Sequence, residues 1–403
     1  MSSWADLTTG RRIKHLRGSD LTQQGLADAA GVSLALVQKA EQDRGELSVG
    51  SLLKLASALK TDVGVILGQQ APRRGMNRTD RAALRQLSDA VHDSALGEWE
   101  GIDDPSSTEE LATARDLAWS AFWSGDSAKL SSLASKVLME GQVRYESATG
   151  AERQRLGLIL ASTYRVAASC ATGFGQRDLA LGALTSAKLH ARRADDPVMM
   201  ALLESTLSWI YLRSAKMSRA VSVAERAALS IEPSFRNAPR PQLLAYGRLM
   251  ISAAVAASRH EDEAAADDYI SQAHAAAARL GRDEKLWGTA FGPTAAKTEA
   301  VGIHVALKNY GRALKLANQK DMADVPRQMS KVARNRYKLD VALAQCAAGL
   351  YDQAADVLIE VGLDAPEWVR HQALPGVIGR RIARVSTAKV RHISDVIGMP
   401  LIT

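Results

Sequence analysis

A pair of helix caps separated by one glycine constrains the N-terminal part of this chain more than any other feature. Thr22 can cap a first short helix, and Ser33 can cap a second. Gly31 lies between them and can adopt the positive φ that a tight turn requires. In the first helix the apolar positions recur at helical spacing on one face. They are Leu26, Ala27 and Ala30. The pattern predicts two short helices joined by a tight turn.

The second helix has two faces of different character. Val37 and Ala40 are predicted to face inward. The opposite face carries Leu34, Ala35, Gln38 and Lys39. Two capped helices around a glycine turn, the second with short outward side chains, predict a helix-turn-helix whose second helix enters a DNA major groove.

The residues around this motif resemble the phage-repressor-like (Cro/cI, Xre) DNA-binding domain. Residues 11–17 match its first helix, residues 48–59 its fourth and residues 63–67 its short fifth. The resemblance implies a five-helix domain over residues 1–68. It also implies a buried ion pair between the first helix and Glu41, which we assign to Arg17.

The same resemblance implies a double-stranded DNA operator as partner. The residues expected to contact DNA are Gln23, Ser33, Leu34, Ala35, Gln38 and Lys39. Gln23 is expected to anchor a phosphate, and Gln38 and Lys39 to reach base edges. Leu34 and Ala35 are expected to meet thymine methyl groups.

Beyond residue 68 the composition changes twice. Residues 69–80 combine Pro, Gly and charge without an apolar period, which is typical of a linker. Residues 81–385 are predicted to be helical almost throughout, and aromatic residues make up only 5% of the chain.

Residues 386–403 are expected to form a basic C-terminal tail. From Arg370 to Ser394 the chain has six Lys or Arg residues and no Asp or Glu, so much of the net charge of +7 lies there. A solvated basic segment and a second surface for phosphates or an acidic partner are both open interpretations.

The helical region repeats itself. Small or apolar residues recur at the start of every second helix, at intervals of 40 to 50 residues. The centres of these units are Leu130, Ala180, Ala220, Ala266, Ala313 and Ala354. Residues 309–314 and 349–355 resemble tetratricopeptide repeats. Helix pairs that bury their apolar faces only by stacking form a solenoid. The predicted fold is therefore all-α, with a five-helix DNA-binding domain followed by a tetratricopeptide-like α-solenoid.

In the resembled repeat family the first helix of each pair lines the concave side. The repeat register places arginines and aromatic residues on that side in the first units. The candidate ligand-binding residues are Arg115, Trp119, Phe122, Arg165, Ser169, Trp209, Arg213 and Arg248. Two interpretations are open. The tryptophans are core residues between helices, or guanidinium groups bind a carboxylate while indoles cover an apolar body.

Residues 287–294 interrupt the helices with two aromatics, two glycines and a proline. They are expected to form a loop pinned by buried aromatics or a mobile lid over the concave pocket. No strand-like alternation is evident beyond a few residues. The two cysteines, Cys170 and Cys346, are expected to be buried free thiols in a reducing compartment. We expect no cofactor, no bound metal, no catalytic site and no membrane span.

These features together predict a cytoplasmic, homodimeric transcription regulator controlled by a signalling peptide or small molecule. The layout resembles the peptide-pheromone receptors of Gram-positive bacteria, which act in quorum sensing, and actinobacterial Xre-type regulators with repeat domains. The ligand class follows from that resemblance alone. An alternative is a DNA-tethered adaptor whose repeats bind a partner protein.

Overall fold

The structure is a computed structural model, and it describes most of the chain. The described residues are 4, 7–18, 21–44, 47–61, 63–67, 78–99, 101–234, 236–322, 329–370, 372–385 and 389–398. Of the predicted linker, residues 69–77 lie outside them, and residues 78–80 begin a long helix. The described part is almost entirely helical, which confirms the predicted all-α class.

Five helices build the N-terminal domain. They are α1 (Thr9–Arg17), α2 (Gln23–Ala30), α3 (Leu34–Glu41), α4 (Val49–Ala58) and α5 (Val63–Ile66). Thr22 caps α2 through the amide of Gly25, and Ser33 caps α3 through the amide of Leu36, as predicted. Gly31 has φ 59° between them, so the glycine turn is also confirmed. Caps and turn together direct α3 across α1 and α2.

The second part of the chain contains sixteen helices within the described residues. They are α6 (Arg78–Leu96), α7 (Thr108–Ser124), α8 (Ser127–Ser147), α9 (Gly150–Gly173), α10 (Arg177–Arg193), α11 (Pro197–Arg213), α12 (Met217–Ser230), α13 (Arg240–Arg259), α14 (Glu263–Leu280), α15 (Pro293–Ala306), α16 (Tyr310–Ala317), α17 (Lys331–Ala347), α18 (Tyr351–Asp364), α19 (Pro366–Arg370), α20 (Ala373–Ala383) and α21 (Val390–Ile397). A short 3₁₀ turn, Lys320–Met322, follows α16.

These helices stack in antiparallel pairs, beginning with α7 and α8 and ending with α17 and α18. In every pair the predicted repeat centre is the fourth residue of the second helix and is buried. In five of the six pairs this residue is alanine, which lets the two backbones approach closely, so the helical repeat predicted from the sequence is confirmed.

The first helix of each pair contacts the first helix of the next, and this row curls until α17 touches α7. Trp368, in α19, packs against Gly125 in the turn after α7 and reinforces that contact. The first helices therefore lie on the inside of the curve. We call the surface formed by α7, α9, α11, α13, α15 and α17 the inner face.

Two short strands of three residues each lie among the helices, in keeping with the absence of any longer strand-like pattern in the sequence. Strands β1 (Glu284–Leu286) and β2 (Thr289–Phe291) pair antiparallel between α14 and α15. Trp287 and Gly288 connect them with φ values of 44° and 79°. Two successive positive φ values define a type I′ turn. Residues 287–294 are therefore the tip and second strand of a hairpin, followed by the start of α15, and not an irregular loop.

The C-terminal segment also differs from expectation. Within the predicted basic tail, residues 390–397 form α21, whose Val390, Ile393 and Ile397 are buried against neighbouring helices. Lys389 forms an ion pair of 2.6 Å with Asp356 of α18. The apolar stripe of α21 explains the packing, because three buried aliphatic side chains outweigh the solvation of the few charges between them.

Cys170 and Cys346 are both buried, as predicted. Within the described ranges, no helix combines the length and apolar character needed to cross a membrane.

Candidate nucleic-acid interface and inner-face cluster

A buried hydrogen-bond network connects α1, α2 and α3 of the N-terminal domain. Arg17, at the end of α1, donates to Glu41 at the end of α3, with 2.6 Å between Nε and Oε1. Gln23 donates to the other carboxylate oxygen of Glu41 at 2.7 Å. Although burial raises the pKa of Glu41, hydrogen bonds from Arg17 and Gln23 lower it more, so the net shift is downward and the carboxylate is ionised. The ion pair assigned to Arg17 is confirmed.

Close approach of α1 to α3 depends on a glycine. A Cβ at Gly10 would lie 2.5 Å from the carbonyl oxygen of Ala40. The amide of Gly10 donates at 2.7 Å to Oδ1 of Asp43, two residues after the end of α3. Position 10 therefore sets the distance between the first helix and the recognition helix.

The outward face of α3 is open to solvent. Ser33, Ala35, Gln38 and Lys39 are exposed, whereas Val37 and Ala40 are buried as predicted. Leu34 differs from expectation, because it is half-buried and packs against the domain core. Only part of its side chain is left for a thymine methyl group.

Gln23 is half-buried, and its side-chain amide is held by Glu41. Its backbone N–H lies in the first turn of α2, where N–H groups have no partner within the helix. In the phosphate contact predicted for Gln23, the donor can therefore be its backbone N–H or the second proton of its side-chain amide.

While α3 faces outward, α4 of the same domain lies against the repeats. Ser57 donates to the carbonyl oxygen of Ser214, directly after α11, at 3.1 Å. A Cβ on Gly50 would lie 3.5 Å from the carbonyl oxygen of Arg259, the last residue of α13. The DNA-binding domain is therefore docked on the C-terminal ends of two inner-face helices.

On the inner face the structure brings together several of the predicted ligand residues. Arg165 of α9 lies over the indole ring of Trp119 in α7, with 4.7 Å from Cζ to the ring centroid. Phe122 meets Trp119 edge-on at 5.7 Å, and Ser169 donates to the backbone carbonyl of Arg165. We call Trp119, Phe122 and Arg165 the inner-face cluster.

The other predicted ligand residues lie around this cluster. Arg248 of α13 is close enough to Arg165 to affect its pKa and pairs with Glu299 at 3.5 Å. Arg115 pairs with the adjacent Asp116. Trp209 and Arg213 lie further along α11 and are half-buried.

The guanidinium group of Arg165 is hydrogen-bonded within the chain itself. Its Nη1 donates to the backbone oxygen of Trp287 at 3.0 Å, its Nη2 to the hydroxyl of Thr289, and its Nε to the hydroxyl of Thr206 at 3.0 Å. All three acceptors are uncharged. Burial, with a smaller contribution from Arg248, lowers the pKa of Arg165 to about 9, so it remains a cation at neutral pH.

The hairpin tip fills the space over the cluster. Gly288 rests on the face of Trp119, since a Cβ there would lie 1.9 Å from a ring carbon. Trp123 donates from its indole nitrogen to the carbonyl of Gly288 at 2.9 Å. At the other end of the hairpin the fully buried Phe291 occupies the space left by Gly247 of α13.

Sequence reasoning singled out the hairpin segment but not its contacts. Thr206 was also not identified as a partner in this site. The aromatic and glycine composition of residues 287–294 was the available signal. The groups that bind Arg165 from the hairpin include a backbone oxygen, which carries no sequence signature.

Among the described residues, no cluster of three His, Cys, Asp or Glu side chains is arranged to hold a metal ion. Comparison with known proteins identifies the N-terminal domain. Residues 13–66 match the Helix-turn-helix family model. No curated protein and no solved structure gives a significant match.

Proposed function

We propose that this protein, whose helix-turn-helix domain supports a role as a DNA-binding transcription regulator, reads a specific operator under the control of its repeat domain. One observation carries the proposal. The recognition helix faces solvent while the same domain is docked, through α4, on the helices that surround the inner-face cluster.

The proposed operator contacts follow from exposure on α3. Gln38 and Lys39 are exposed and long enough to reach base edges in the major groove. Ala35 offers a methyl group to a thymine, and Ser33 lies at the helix start where backbone phosphates pass. Each lost base contact costs about 1–3 kcal/mol of discrimination.

The regulator is proposed to act in the cytoplasm as a homodimer. One recognition helix covers too few base pairs to define a genomic address. Two-fold dimers solve this by placing two recognition helices on half-sites about 34 Å apart. The repeat domain is the proposed source of the dimer contact, because one face of the small N-terminal domain is already docked and another must meet DNA.

The proposed signal is a peptide with a free C-terminal carboxylate, or a small organic acid, bound at the inner-face cluster. A carboxylate would replace the hairpin oxygens at Arg165 with charge-assisted hydrogen bonds, which are about twice as strong as neutral ones. The indole of Trp119, uncovered when Gly288 moves, would take an apolar group. Binding therefore requires the hairpin tip to leave.

The route from this site to DNA runs along α11 and α13. Thr206 of α11 and Gly247 of α13 contact Arg165 and the hairpin, respectively. The C-terminal ends of the same two helices carry the contacts to α4. Because packed helices move as rigid units, a shift at the hairpin is transmitted to the DNA-binding domain.

Selection of genomic fragments by the purified full-length protein, followed by affinity measurements on the selected site, tests the DNA-reading part. The double substitution Gln38→Ala and Lys39→Ala should weaken specific binding at least about tenfold. Its matched control is Lys315→Ala with Gln353→Ala, two exposed positions on the repeats. Equal affinity of the two double variants for the selected site would refute the assignment.

Light scattering of the full-length protein measures the assembly, and a monomer at micromolar concentration contradicts the dimer. Adding cell extract to the binding assay separates the two candidate roles of the repeats. A change in operator affinity that survives removal of macromolecules supports a small signal. Recovery of a stoichiometric protein partner supports the adaptor instead.

A further inference from the structure

A second candidate binding site lies between α14, α15, α16 and the 3₁₀ turn that follows α16. These elements enclose a cleft of about 330 Å³, which shares no residue with the inner-face cluster. Its apolar wall consists of Ile270, Ala300, Leu316 and Met322. The volume is at the lower end of the range for small-molecule sites, so a ligand of this cleft is small and largely apolar.

The charged groups that line this cleft are engaged within the chain. Arg312 pairs with Oδ2 of Asp267 at 2.8 Å. Lys297 also has a partner of its own. Burial lowers the pKa of both His274 and His304, so both rings are neutral at pH 7. The lining residues that the structure describes therefore offer no excess charge to an ionic ligand, and the cleft favours an uncharged one.

Two buried polar groups face each other in the cleft wall without a direct hydrogen bond. Oδ1 of Asp267 and Nδ1 of His304 have no hydrogen-bond partner among the described residues. His304 is only 2% exposed, and its other ring nitrogen, Nε2, is 3.9 Å from Oδ1 of Asp267. That distance is too long for a hydrogen bond. Buried polar groups are almost always paired, so this pair indicates a bridging group.

A single hydroxyl group can bridge the two residues. Its oxygen can lie about 2.8–2.9 Å from each of the two atoms, because their separation of 3.9 Å is shorter than two such hydrogen bonds laid end to end. The carboxylate opposite favours the tautomer of His304 with the proton on Nε2. A hydroxyl group accepts from that N–H and donates to Oδ1 of Asp267, so it satisfies both sides.

We propose that this cleft binds a small uncharged aliphatic alcohol. The hydroxyl group bridges Asp267 and His304, and the aliphatic body lies against the apolar wall. An ammonium group could donate to Asp267 but not accept from His304, and a carboxylate could accept but not donate, so neither fits. This inference goes beyond the proposed function and does not depend on it, because the signal proposed at the inner-face cluster is an acid and the two sites use different residues.

Calorimetric titration of the full-length protein with 3-methylbutan-1-ol tests the ligand class. Its isomer 1-methoxy-2-methylpropane contains the same atoms but has no O–H donor, and 3-methylbutylamine and 3-methylbutanoate are charged analogues of similar size. We expect the alcohol to bind at millimolar concentration and each of the other three to bind at least about tenfold more weakly, the effect of one lost buried hydrogen bond. Absence of binding by the alcohol overturns the proposal and assigns the bridge to a water molecule. Equal binding of the ether, the amine or the acid also overturns it.

Two substitutions locate the ligand in the cleft. His304→Phe keeps an aromatic ring but removes both nitrogens, so it should weaken the alcohol about tenfold and leave the ether unchanged. His190→Phe is the matched control and should leave both unchanged, because His190 is also 2% exposed and lies outside the cleft. Leu316→Trp, at a half-buried position of the wall, should fill the cleft and block both compounds. Urea unfolding checks that each variant is folded, and alcohol binding that is unchanged in folded His304→Phe or Leu316→Trp would overturn the site.

Discussion

The hairpin tip can be lifted from the inner face by one methyl group. A Cβ on residue 288 would lie 1.9 Å from a ring carbon of Trp119. That indole cannot yield, because it is buried and donates to Ser162 at 3.0 Å. Ordinary carbon contact is about 3.5–4.0 Å, so the tip of Gly288→Ala must rise by roughly 1.5–2 Å.

Such a displacement breaks two hydrogen bonds of the tip. Trp123 donates to the carbonyl of Gly288 at 2.9 Å, and Arg165 donates to the oxygen of Trp287 at 3.0 Å. The first contributes about 1 kcal/mol and the second, from a charged donor, about 1.5–3 kcal/mol. Gly288→Ala should therefore lower the free energy of unfolding by about 2.5–4 kcal/mol beyond the cost of an alanine at positive φ.

Gly281→Ala measures that backbone cost separately. Gly281 has φ 69°, close to the 79° of Gly288, and has no atom within 4 Å of its expected Cβ. Its substitution should cost about 1–2 kcal/mol, the penalty for a left-handed alanine. Urea unfolding gives both values, and hydrogen exchange of residues 284–291 reports the hairpin. Equal stability and equal hairpin protection in the two variants would show that the tip is not seated on Trp119.

Three further predictions concern other parts of the molecule. Gly10→Ala places a Cβ 2.5 Å from a backbone oxygen of α3, so it should lower the free energy of unfolding by about 1–3 kcal/mol, measured in urea, and weaken operator binding. The control Gly25→Ala faces only side-chain atoms and should be nearly neutral. Gly50→Leu should separate α4 from Arg259 and leave operator affinity unchanged. In that background Gly288→Ala should no longer alter operator affinity. If it still does, the signal does not pass through the contact between α4 and α13. Burial lowers the pKa of His190 to about 4, so the folded protein keeps this ring neutral. Its contribution to the free energy of unfolding is fully present above about pH 6.5, and about 3 kcal/mol of it is lost as the pH falls toward 4. His190→Gln should flatten that part of the stability curve measured by urea unfolding between pH 7 and 4.

The parts of the structure that follow local rules could be predicted from the sequence. Thr22, Gly31 and Ser33 act within four residues of themselves, so their side chains and φ preferences determine the turn between α2 and α3. The repeat centres could also be predicted from the sequence. A small residue such as Ala220 at a helix crossing is a direct requirement of close packing.

The hairpin could not be predicted in the same way. Asn-Gly is the usual signal for a type I′ turn, and the tip carries Trp287 at φ 44°, which a bulky residue rarely adopts. Its partner Arg165 is 122 residues away, and the contact uses a backbone oxygen. The sequence therefore could not show that the fold supplies its own acceptors for Arg165.

The position of the hairpin changes what a signal must do. A ligand at an empty site needs only to bind, but the proposed ligand would first have to displace a tip that Trp123 and Arg165 hold with hydrogen bonds. The apparent affinity falls by the fraction of molecules in which the tip is released. If the predicted linker, residues 69–80, is flexible, it would absorb any signal that passed along the chain alone. The docking of Ser57 on Ser214 and of Gly50 on Arg259 avoids that loss, because it couples the DNA-binding domain to the ends of α11 and α13. In the proposed mechanism, release of the tip alters the surroundings of Thr206 and Gly247 on these same two helices, so control of DNA binding would require no change in the linker.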